Sequence, residues 1–115
     1  MLQNLFDSIR ISGQPILKGF ADSQDVFNNF QVSQDIQEGL EIIYANYECG
    51  NYEGYATVFF YSSNTGKYHQ AYGSHCSCYG LEGQWGMEEI NFKELENRLV
   101  INQYFGVEEF KNCGI

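Results

Sequence analysis

A chain of 115 residues with 43% hydrophobic and 18% charged residues has the size and composition of one ordinary folded domain. Nine Tyr, nine Phe and one Trp set it apart from the aromatic-poor composition of disordered chains, and no apolar run approaches the ~20 residues of a membrane span. Fifteen acidic against six basic residues give a net charge of −9, which opposes direct binding to a phosphate backbone because no counterion release is on offer.

Leu2, Leu5, Phe6 and Ile9 fall at helical spacing and predict a short first helix that ends before Ser12-Gly13-Gln14-Pro15. The start MLQNLFDSIR has neither the basic beginning nor the long apolar stretch of a secretory signal, so a cytoplasmic location is expected. Ala21, Val26, Phe27 and Phe30 predict a second short helix over 22–30, with Asp22 or Ser23 placed to cap it.

From Gly39 to Gly73 the pattern changes to strands over 40–48, 54–61 and 67–73, rich in Ile, Val, Thr, Phe and Tyr. Ser62-Ser63-Asn64-Thr65-Gly66 carries turn chemistry and predicts an antiparallel hairpin, and Cys49-Gly50-Asn51-Tyr52-Glu53 does the same between the first two strands. In the middle strand Ala56, Val58 and Phe60 share one face while Tyr55, Thr57, Phe59 and Tyr61 share the other, so neither face is plainly polar. Helices covering one face, with aromatics edging the other, is the expected arrangement.

A loop over 74–90 follows. Asn91 with Glu94 three residues later is close to a capping box, and Phe92, Leu95 and Leu99 form one stripe, which predicts a helix over 91–101; Val107-Glu108-Glu109-Phe110 adds a last turn. With a single Pro, no linker and no repeat, residues 1–115 read as one domain: 1–38 mainly helical, 39–73 antiparallel strands, 74–90 a Cys/His/Trp loop, 91–112 helical. The fold class is α+β, an antiparallel meander of three or more strands packed against N- and C-terminal helices.

Chemistry concentrates in Gly73-Ser74-His75-Cys76-Ser77-Cys78-Tyr79-Gly80-Leu81-Glu82-Gly83-Gln84-Trp85. Thiolate and imidazole are preferred zinc ligands, and His75, Cys76 and Cys78, joined by His69, Cys49 or Cys113, are the candidates; the spacing lacks the doubled ligand pair of structural zinc sites. Nucleophilic chemistry would need a base beside a thiol, and His69 or His75 with Glu53, Glu82 or Glu88 supplies the residue types without a local signature. Glu82 sits where a phosphate would lie in Gly80-Leu81-Glu82-Gly83, which rejects a phosphate-cradling loop. Free Cys is also a common core residue, and all four thiols are expected reduced. Tyr79 and Trp85 read either as an interface patch or as packing, with Trp85 expected to be half-buried and to lock the loop against the final helix.

The same segment, with Asn51-Tyr52-Glu53-Gly54-Tyr55-Ala56 before it and Glu88-Glu89 after it, resembles a recurrent block in small uncharacterised proteins of bacteriophages and of bacteria carrying phage-derived genes. The similarity spans residues 44–100, and Gly86-Met87 stands where those proteins often carry a Pro after the Trp. The resemblance implies a phage-associated origin and a host cytoplasm as the place of action; it implies no reaction. Glu82, Glu88, Glu89, Glu94, Glu96, Glu108 and Glu109 put seven of fifteen carboxylates after residue 80. A small acidic protein of this kind can cover a basic nucleic-acid channel by presenting carboxylates where phosphates would lie. The expectation is therefore a non-enzymatic inhibitor of a host protein with a basic surface, such as a defence enzyme (anti-CRISPR-like) or a nucleic-acid-handling enzyme. Tyr79, Glu82, Trp85, Glu88, Glu89, Glu94 and Glu96 would contact the partner, with no cofactor; the alternative is a Cys/His site holding zinc or doing thiol chemistry.

Overall fold

The computed structural model describes residues 2–50, 53–76 and 80–96. Its elements run α1 (Leu2–Ser12), β1 (Ile16–Lys18), α2 (Ser23–Phe30), α3 (Gln34–Gln37), β2 (Leu40–Gly50), β3 (Glu53–Ser62), β4 (Lys67–His75), β5 (Glu88–Glu89) and α4 (Phe92–Glu96). The class is α+β, with one five-stranded sheet ordered β1-β2-β3-β4-β5. Strands β2 to β5 form the antiparallel meander, and β1 lies parallel to β2 with Ile16 beside Tyr44. The sheet is therefore mixed, which corrects the purely antiparallel expectation and places a strand inside the segment read as helical.

A parallel neighbour requires a crossover, and α2 and α3 provide it. The chain leaves β1 at Gly19, whose φ is +86° and whose position would bring a Cβ within 2.5 Å of the Tyr47 carbonyl oxygen, so glycine is the residue that fits. Helix α2 opens with the Asp22 carboxylate accepting from Asp25 N–H at 2.8 Å, while Asp25 accepts from Ala21 N–H at 2.9 Å. It closes with Gln31 in the left-handed region and Val32 N–H donating to the Phe27 carbonyl at 3.0 Å.

Both faces of the sheet are covered, whereas one covered face was expected. On one face Val26, Phe27 and Phe30 of α2 pack on Ile42, Ala45, Val58, Phe60 and Ala71. On the other, Phe6 and Ile9 of α1 pack on Ile43, Tyr44, Phe59 and Tyr68, joined by Ile90 and by Phe92 of α4. An irregularity between Ile42 and Tyr44 inserts Ile43 into β2, so that Ile42 lies opposite Phe60 and Tyr44 opposite Phe59. The irregularity puts two successive residues, Ile43 and Tyr44, in the α1-side cluster while Ile42 and Ala45 serve the other, and Val58-Phe59-Phe60 is buried without interruption because each face has its own cover.

Tyr68 links the α1 side of the core to charge: its hydroxyl donates to the Asp7 carboxylate, and Arg10 nearby stacks over the Tyr61 ring at 3.8 Å. Burial first, then the hydrogen bond to Asp7, pushes the Tyr68 phenol up to about 12 from 10.0. A raised folded-state value means the neutral phenol is favoured by the fold. The corresponding stability is fully present below pH 10.0 and is lost as pH rises towards about 12. Chemical unfolding of Tyr68→Phe across that window is expected to show a shallower alkaline loss than the parent; identical slopes would mean that Tyr68 is not the group responsible.

Asn91 caps α4 by accepting from Glu94 N–H at 3.1 Å, and Phe92 sets its ring against Phe6 and Tyr68. The remainder of the helix expected over 91–101, and the turn at 107–110, lie outside the described residues. The pair Glu88–Glu89 was expected within a loop and instead forms β5 beside His69 and Gln70. Among the described residues no helix is long and apolar enough to cross a membrane.

Candidate functional site

The segment after β4 folds back along the strand it leaves. Leu81 is buried beneath Phe30 and the bare backbone of Gly73, where a Cβ would come within 2.8 Å of Leu81 Cδ2. Gln84 then lies beside Ser74, its side-chain amide accepting from Ser74 N–H at 2.9 Å and donating to the Ser74 carbonyl at 2.8 Å, in imitation of a strand partner. A further bond from Gln84 to the Gly80 carbonyl at 2.9 Å closes the loop on itself. Trp85 stacks on Phe60 with centroids 4.7 Å apart and meets Phe27 and Phe30 edge-on. It therefore locks the loop against α2, not against the final helix, which packs on the opposite face of the sheet.

At the far end of β4, His75 meets Tyr47 and Gly54. The Cys76 carbonyl can only accept, so the His75 Nδ1 facing it at 2.9 Å carries the proton, and in the neutral ring the Tyr47 hydroxyl donates to Nε2. Gly54 makes room: a Cβ there would sit 2.3 Å from His75 Nε2. Burial, then the charge of Glu82, raises the Tyr47 phenol. Glu82 is held below the usual carboxylate range by its own backbone N–H and that of Gly80, with a smaller contribution from His75.

His69 is a buried core histidine with both nitrogens used. Its Nδ1 donates to the Met87 carbonyl at 3.2 Å, its Nε2 accepts from the Thr65 hydroxyl at 2.7 Å, and its ring stacks on Phe60. It stands six residues along β4 from His75, about 20 Å away, so the two histidines do not converge. The zinc alternative needs Cys78, which lies outside the described residues, together with a half-buried Cys76 and a His75 whose nitrogens already serve Tyr47 and Cys76. Among the described residues no three His, Cys, Asp or Glu side chains are placed to hold one metal ion.

Of the residues expected to meet a partner, Glu82, Glu88, Glu89 and Glu94 are exposed and Trp85 is half-buried. Tyr79 and the Glu96 side chain lie outside the description. The carboxylates do not form one patch. Glu82 sits at the His75 end of β4, whereas Glu88 and Glu89 flank its beginning, where Glu89 reaches Lys67 at 3.4 Å. A cleft of about 370 Å³ opens there between α1 and the hairpin, but Arg10 on its wall already pairs with Glu41 at 3.5 Å and Lys67 with Glu89.

A second cleft, of about 360 Å³, lies between Tyr55 and Tyr72 on the part of the sheet beyond α1, with Thr57, Ser74 and Gln84 around it. Tyr55 is 57% and Tyr72 41% exposed, although both belong to strands rich in core aromatics. The signal that could have singled them out is register: a hairpin closing Ser62 on Lys67 puts Tyr55 opposite Ser74, Tyr72 opposite Thr57 and Gly54 opposite His75. No protein-family model, curated protein or solved structure matches the chain.

Proposed function

We propose that the chain is a phage-associated binding protein that occupies a basic surface of a host protein and blocks it, a defence or nucleic-acid-handling enzyme being the class of target. The observation that supports this reading is the net charge of −9, carried in part by exposed Glu82 on the strap (residues 80–87, which return along β4), Glu88 and Glu89 on β5 and Glu94 on α4. A large net negative charge speeds encounter with a basic target and repels free nucleic acid. The resemblance of Gly73 to Trp85 to a block found in phage proteins supplies the biological setting.

The strap itself works as structure in this reading. His75 at the end of β4, with Gln84 and Trp85 of the strap, satisfies backbone and core, and Glu82, Glu88, Glu89 and Glu94 face solvent. Reversing Glu88, Glu89, Glu94 and Glu96 to Lys is expected to slow association with the co-purified host protein about tenfold or more at low salt. Stopped-flow association rates, with folding checked by circular dichroism, measure this; a reversed protein that associates as fast as the parent would remove the electrostatic reading.

A further inference from the structure

A β-sheet ends in strands whose outer N–H and C=O groups can pair with another chain, and short length, charge and proline are the usual guards of such edges. β1 is three residues long, follows Pro15 and ends on Lys18. β5 is two residues long, and both are Glu. It pairs with His69 and Gln70 alone, whereas β4 runs on to His75. Ala71 to His75 therefore extends the edge beyond β5 with no strand beside it among the described residues, and it contains no Asp, Glu, Lys or Arg.

That stretch is closed by a side chain. Ile90 N–H donates to the Tyr68 carbonyl at 3.0 Å, so the even-numbered residues of β4 turn their main-chain groups outwards, and Ser74 is one of them. Its N–H donates to Gln84 Oε1 at 2.9 Å and its carbonyl accepts from Gln84 Nε2 at 2.8 Å, the two bonds that a paired strand residue would make. The other amide proton reaches the Gly80 carbonyl at 2.9 Å. A primary amide can do this because it carries donor and acceptor on one plane; a carboxylate only accepts and an ammonium only donates.

Two apolar anchors set the amide in place. Leu81 lies against Gly73 and Phe30, and Trp85 stacks on Phe60, so the strap is held on the α2 side just before and just after Gln84. Gln84 N–H donates to the Leu81 carbonyl at 3.2 Å, closing a turn in which Gly83 has φ +77°. Without the amide, Ser74 would present an unpaired N–H and C=O on an uncharged, extended edge. A second copy offers the same edge in the same conformation, and antiparallel pairing about a two-fold axis would bring the two together with no like charges opposed. A free peptide would first have to be ordered as a strand, whereas a second β4 is one already.

We propose that Gln84 is a stopper of the β4 edge: its amide takes up the main-chain groups of Ser74 and keeps this edge from pairing with the same edge of a second copy. The strap is in this sense an autoinhibitory contact, making within one chain the bonds that would otherwise join two. The device is independent of what the acidic surface binds.

The test uses the full chain, amide hydrogen exchange by NMR and sedimentation velocity over a range of concentrations. In the parent, the Ser74 amide is expected to exchange at least about tenfold more slowly than that of Asn64 in the exposed turn, although no strand lies beside it. Gln84→Met keeps the length of the side chain and removes its amide; it is expected to speed Ser74 exchange about tenfold and to give a dimer that grows with concentration where the parent sediments as one copy. Adding Ser74→Pro to that variant deletes the outward N–H and is expected to return it to a single copy. A Gln84→Met protein that stays a single copy overturns the proposal, and so does a dimer that survives Ser74→Pro, which would be using another surface. The parent measurement needs no substitution: a Ser74 amide that exchanges as fast as that of Asn64 overturns the proposal even if Gln84→Met folds poorly.

Discussion

Trp85→Ala is expected to lower the unfolding free energy by about 3–5 kcal/mol, the range for emptying a large aromatic site in a core. The indole contacts three rings, Phe27, Phe30 and Phe60, and seals the strap over the α2 face. Its Nε1 is buried without a hydrogen-bond acceptor among the described residues, so truncation also removes a polar group that contributes nothing favourable, and the loss should fall towards the lower end. Denaturant titration of the parent and of Trp85→Ala and Trp85→Phe measures it. A Trp85→Ala protein that unfolds at the parent's midpoint but loses its partner would make Trp85 a contact residue and not the closure of the strap.

The second large effect lies on the opposite face. Phe6 is fully buried and touches Phe59, Tyr68 and Phe92, so one side chain ties α1 and α4 to the sheet. Phe6→Ala is expected to cost about 3–5 kcal/mol by the same loss of contact and cavity formation. The sheet separates the two sites, so their costs should add. Domains of this kind have only about 5–15 kcal/mol in total, and the double variant is expected to be largely unfolded at room temperature. A double variant no less stable than either single one would show that the two faces are not independent cores.

The strands were legible because β-branched and aromatic residues run between clear turn signals. Leu40–Gly50, Glu53–Ser62 and Lys67–His75 each begin or end within two residues of the sequence-based limits. Capping chemistry was equally readable at Asp22 and Asn91, since each side chain satisfies a free N–H of a helix start. What was hidden depends on partners distant in sequence. Ile16–Lys18 is too short to show alternation and becomes a strand through Tyr44–Asn46; Glu88–Glu89 has no strand propensity and pairs only because the strap carries it back along β4. The double cover was hidden by Ile43, because one inserted residue breaks the period of two on which face assignment depends.

For the candidate site, composition identified the acidic character and the unusual segment from Gly73 to Trp85, but not the division of labour within it. Residue types drew the eye to His75 and Cys76, and the fold uses His75 to tie the end of β4 to Tyr47 on β2. Tyr55 and Tyr72 drew none, because a strand tyrosine is common and its exposure depends on where α1 stops covering the sheet. Positions distinguished by register and cover carry no mark in a single sequence.

The association rate with the host partner, measured from low to high salt, tests the central claim most directly. An acidic protein steered to a basic surface is expected to approach about 10⁸ M⁻¹s⁻¹ at low ionic strength and to slow steeply as the screening length shortens to about 8 Å at physiological strength. A rate that stays flat across that range would contradict the account, because the excess of carboxylates would then play no part in finding the target.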